Sequence, residues 1–143
     1  MKKLMFILFG VITVLISFSQ NQQEISIIPV PVSLQTGKGS FQIKSTTSIE
    51  ISSVATDAKR VAHFLSDKLK QATGYTLPVK QQAIASKTSG NIRLAITKDA
   101  LLGEEGYKLN VTPSTISITA NSASGLFYAI QTLYQLVAKT GRE

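Results

Sequence analysis

Two runs of alternating residues joined by a tight turn constrain this chain more than any other feature. Tyr107, Leu109 and Val111 alternate with Lys108 and Asn110, Thr112-Pro113-Ser114-Thr115 reverses direction, and Ile116, Ile118 and Ala120 alternate with Ser117 and Thr119. Successive strand side chains point to opposite faces, so pairing the two runs as a hairpin gathers their apolar residues on one face. That face must be buried against another layer. The cover follows directly in sequence: Asn121-Ser122-Ala123-Ser124 offers capping groups, and a helix is predicted from about Gly125 to Ala138. Leu126, Ala129, Ile130, Leu133, Leu136 and Val137 fall on one side of it, while Phe127 and Tyr134 form a second, flanking stripe.

The upstream chain repeats the theme. Ala58, Val61, Ala62, Leu65, Leu69 and Ala72 recur at three- and four-residue spacing and predict a helix from about Thr56 to Ala72. Asp57 in its first turn and Lys68 and Lys70 near its end suit the macrodipole, and Gly74 supplies the stop. Extended segments are expected at Ile25–Ile28, where Pro29 and Pro31 limit it to an edge strand or a strand start, at Phe41 and Ile43, at Ile49-Glu50-Ile51, at Tyr75–Val79 and at Asn91–Thr97. Gln81 to Gly90 is polar and is expected as a loop. The order is strands, helix, strands, helix. The expected class is α+β, a mostly antiparallel sheet with two helices packed on one face.

Residues 1–19 do not join this pattern. Lys2 and Lys3 precede an apolar run from Leu4 to Phe18, about 15 residues, which is shorter than the roughly 20 that span a bilayer. Ser17 and Ser19 stand where a signal peptidase reads small residues, and Gln20 opens a polar stretch. The expectation is a signal peptide over 1–19, with an uncleaved N-terminal anchor as the alternative, a single domain over 20–143, and export to a bacterial periplasm or medium. With no cysteine in the chain, neither a lipoprotein anchor nor a disulfide can form. The signal carries two lysines and no acid, so its removal lowers the formal charge from +7 to +5, spread without any block of like charge. Nothing in that distribution marks a nucleic-acid partner.

Chemistry-bearing residues are sparse. His63 is the one histidine, and a contact with Asp67 at helical i,i+4 spacing does not make a metal site. Glu104 and Glu105 are the one adjacent pair of carboxylates. Glycosidases work with carboxylate pairs, and two acids facing apart, as neighbours in an extended turn do, cannot flank one bond. Gly37 and Gly39 are followed by a predicted strand rather than a helix, so they read as a turn and not a phosphate cradle. No Gly-x-Ser-x-Gly elbow occurs, and Asn110-Val111-Thr112 matches a glycosylation sequon only inside a strand. The expectation is no catalytic residue, no metal and no cofactor.

Two stretches carry a resemblance. Ile27-Ile28-Pro29-Val30-Pro31-Val32-Ser33-Leu34 with Gly39-Ser40-Phe41 resembles the opening of family 20 glycoside hydrolases, the β-N-acetylhexosaminidases. Glu105-Gly106-Tyr107-Lys108-Leu109, Ile116-Ser117-Ile118-Thr119-Ala120 and Gly125-Leu126-Phe127-Tyr128-Ala129-Ile130-Gln131-Thr132-Leu133 are similar to the hairpin and helix that end their N-terminal domain. Related domains precede the barrels of families 84 and 67, but the Pro-Val-Pro opening favours family 20. The resemblance runs from about Ile27 to Leu136 and implies a small non-catalytic domain followed by a (β/α)₈ barrel. In the family that barrel carries an Asp-Glu pair, and the aspartate orients the substrate's own acetamido group as nucleophile. No residue here matches that pair, and glycan would be bound only through the barrel.

The resemblance gives the second stripe of the last helix a meaning. One side of the helix would face its own sheet and the other the barrel, which makes Phe127 and Tyr134 candidate domain-interface residues. A free-standing carbohydrate-binding or structural exported domain is the alternative. It is disfavoured because the chain has no tryptophan to serve as a sugar platform.

Overall fold

The computed structural model describes residues 25–52, 55–82 and 89–140, the last three as backbone only. The stretch read as an export signal lies outside them. Seven elements follow one another: β1 (Ile49–Ile51), α1 (Thr56–Thr73), β2 (Val79–Gln81), β3 (Asn91–Ile96), β4 (Tyr107–Val111), β5 (Thr115–Ala120) and α2 (Ala123–Thr140). The strands form one sheet in the order β2-β1-β3-β5-β4. The class is α+β, but the sheet is mostly parallel, against the antiparallel expectation. β1 pairs in parallel with β2 and β3, and β3 with β5, while β4 and β5 alone are antiparallel.

The reason lies in the connections. β1 and β2 are joined through the whole of α1, and a helical crossover returns the chain in its original direction. Residues 97–106 then carry the chain past the place of β5 to the edge, and the tight turn of the hairpin inserts β5 between β3 and β4. Only a hairpin forces antiparallel pairing, and the chain has one among its described residues.

Three strand expectations also fall. Phe41 and Ile43 lie outside any strand, yet both pack against the core. The strand expected over Tyr75–Val79 begins only at Val79, because Leu77 is already buried in the core and Pro78 has no N–H to pair. Residues 25–28 form a strap rather than an edge strand, with a cis peptide between Ile28 and Pro29.

Register explains where the core sits. Ile49 pairs with Ile92 and Ile51 with Leu94; these stand opposite Ile116 and Ile118, which face Val111 and Leu109 across the hairpin. One face is therefore apolar across four strands. Ala58, Ala62, Leu65 and Leu69 of α1 and Leu126, Ala129, Ile130 and Leu133 of α2 close over it in a single cluster, which places both helices on that face. Ala72, expected on the stripe, is exposed. α1 stops at Gly74, whose φ of 77° lets its N–H reach the Lys70 carbonyl at 2.8 Å. The opposite sheet face is polar: Glu50 accepts from Asn91 Nδ2 at 2.7 Å and from Arg93 Nε at 3.1 Å.

Candidate functional site

The start of α2 is locked to the loop before β4. Ser122 caps the helix, its Oγ accepting from the Gly125 N–H at 3.2 Å and donating to the Glu104 carbonyl at 2.6 Å. Asn121 works beside it: its Oδ1 accepts from the Asp99 N–H at 2.7 Å, and its Nδ2 donates to the carbonyls of Asp99 and Gly103 at 2.7 and 2.9 Å. A Cβ on Gly125 would lie 2.6 Å from the Gly106 carbonyl oxygen, and one on Gly106 would strike the Leu102 backbone. The two glycines of the Glu-Gly-Tyr and Gly-Leu-Phe-Tyr phrases thus mark one joint, where helix and loop approach too closely for any side chain. Tyr107 Oη and Thr132 Oγ1, 2.6 Å apart, tie the hairpin to the middle of the helix.

The joint fixes what α2 presents outward. Phe127 lies 5.4 Å from the Phe64 ring of α1 and 6.0 Å from Tyr128, centroid to centroid, and remains 39% exposed. Tyr128 is 44% exposed. Lys68 Nζ stands 5.5 Å from the centroids of both Phe64 and Tyr134, joining the helices by cation–π contacts. Phe127 and Tyr134 therefore lie along the outer seam between the two helices, Phe127 open and Tyr134 half-buried. The sequence pairs only these two. Phe64 and Lys68 carry the available signal in their i,i+4 spacing, but it needs the seam between α1 and α2 to acquire meaning.

The other candidates lie at the surface. His63 and Asp67 are exposed on α1, and Glu104 and Glu105 are exposed in the turn over 100–105. Asp99 pairs with Lys108 at 2.6 Å, and that hydrogen bond, helped by the Leu101 N–H, holds its carboxyl below the ordinary aspartate value. Among the described residues no three histidine or acidic side chains gather as a metal site would require, and no helix is long and apolar enough to cross a membrane. A surface cavity of about 500 Å³ is lined, among the described residues, by Ser40, Phe41, Gln42, Lys44, Thr46, Thr47, Ser89, Gly90, Pro113 and Ser114, none of them acidic.

A two-layer α+β domain with its glycines at a tight joint and its aromatics turned outward is the class the geometry defines. The family model for glycosyl hydrolase family 20, domain 2, matches residues 24–143, and the chain belongs to that family. It is similar to a beta-hexosaminidase of Porphyromonas gingivalis, 34% identical over 123 residues, which covers 85% of this chain and 15% of that protein. A beta-N-acetylhexosaminidase of Cellulomonas fimi is 30% identical over 118 residues, covering 82% of this chain and 23% of the relative. Among solved structures, the family 20 beta-N-acetylhexosaminidase from Streptomyces coelicolor is similar with a TM-score of 0.67 and 39% identity, over 77% of this chain and 21% of that one. The chain thus spans less than a quarter of each of these three proteins.

Proposed function

We propose that this chain is the accessory, non-catalytic domain of an exported β-N-acetylhexosaminidase, and that a downstream (β/α)₈ barrel both removes terminal N-acetylhexosamine from glycans and docks on the seam between α1 and α2. The observation that carries the reading is the aromatic seam. Phe127 and Tyr128 stay open to solvent on a domain whose own core is already closed. Rings of this size are left uncovered at a cost, and a neighbouring domain is the natural cover. The family assignment and the much greater length of the relatives support it. Export is supported by Lys2, Lys3 and the apolar run behind them.

The division of labour is tested by nitrophenol release from β-linked GlcNAc and GalNAc nitrophenyl glycosides. The 143-residue chain is expected to show no activity above buffer. Release that disappears on Glu104→Gln or Glu105→Gln would return the chemistry to this domain.

A further inference from the structure

Residues 25–34 cross α2 as a strap and leave an apolar edge uncovered. Gln135, on the outer side of α2, holds the strap by both backbone groups of Ile28: the Ile28 N–H donates to Oε1 at 3.0 Å, and Nε2 donates to the Ile28 carbonyl at 2.8 Å. Ile27 turns inward at 5% exposure. The aliphatic residues that follow are open, with Ile28 76%, Val30 85%, Val32 109% and Leu34 49% exposed. Four large aliphatic side chains left open on one short, backbone-anchored segment expose apolar surface on the order of several hundred Å², an amount that usually marks an interaction site.

We infer that this strap is a second part of the docking surface for the catalytic domain, so that the polypeptide beyond α2 packs over Ile28, Val30, Val32 and Leu34 as well as over the aromatic seam. The inference rests on the accessory-domain reading above and extends it to a segment that reading does not use. Geometry names the occupant. The Ile28 clasp lies five residues before Thr140, the last residue of α2 and of the described chain, about 8 Å along the helix axis, so the described chain ends beside the strap. Chemistry narrows the mode of contact. Pro29 and Pro31 have no N–H to offer a pairing strand, so the cover must bury side chains rather than add a strand to an edge.

Carbene footprinting of the natural gene product tests this, comparing the labelling of each residue in the native protein with that in the same protein unfolded in guanidinium. Val32, which the domain itself leaves fully open, is expected to label several-fold less in the native protein, together with Ile28 and Val30. Strap residues that label as in the unfolded chain while Phe127 and Tyr128 are protected would overturn the inference and leave the docking reading standing. Labelling of both sets at the level the isolated domain allows would overturn both. Protection of the strap that disappears on dilution would assign it to a second copy of the chain and likewise overturn the inference.

Discussion

At the scale of single residues, the two glycines of the joint carry the sharpest constraint. Gly125 stands within the first turn of α2, where alanine ordinarily favours a helix by about 1 kcal/mol over glycine. Here the sign reverses, because the added methyl would sit 2.6 Å from a carbonyl oxygen and 2.9 Å from the Ala120 Cβ. Gly125→Ala is expected to destabilise the domain by roughly 1–3 kcal/mol, the usual range for overpacking. Chemical denaturation checks it. A neutral or stabilising result would show that the loop before β4 gives way freely and that the joint does not orient the helix. Asn121 and Ser122 were legible in sequence only as capping groups. Their larger role, gripping residues 99–104 from outside the helix, depends on a loop whose path no local pattern records.

At the scale of elements, legibility followed locality. The hairpin of β4 and β5 is drawn to within one residue by its alternation, Thr115 opening β5 rather than closing the turn, and α1 by its spacing and its stop at Gly74, since both patterns are local in sequence. The parallel sheet was not legible. β1 and β2 have three residues each, too few to display a period, and their direction is set by the crossover between them. Phe41 and Ile43 alternate like a strand but lie outside any strand, with their side chains packed against the core. The outer stripe of α2 could be seen in sequence, while its partners on α1 required the packing of the two helices. This packing sets a magnitude. Phe127→Gln with Tyr134→Gln gives up two aromatic pairs, with Phe64 and Tyr128, and one half-exposed cation–π contact, together about 1.5–3 kcal/mol. Leu133→Ala, which empties a core site, should cost about 2–5 kcal/mol. Thermal melts of the two variants are expected to separate in that order, with the double variant also the more soluble. A double variant that melts as low as Leu133→Ala would make the rings part of this domain's own core and remove the physical case for a docking face.

At the scale of the whole molecule, the fold and the uncovered seam and strap are consistent with the account proposed above, in which this chain supports chemistry performed elsewhere in the same polypeptide. The shared length of each relative points the same way, since the matched region is 15% of one and 23% of another. Top-down mass spectrometry of the native protein from the periplasm or medium tests that account most directly. The expected result is a species several-fold heavier than 143 residues, whose amino-terminal fragment series begins at Gln20 or a close neighbour. A mature protein that ends at Glu143 would contradict it, because the catalytic barrel and the surface that covers Phe127, Tyr128 and the strap would then have no polypeptide to come from.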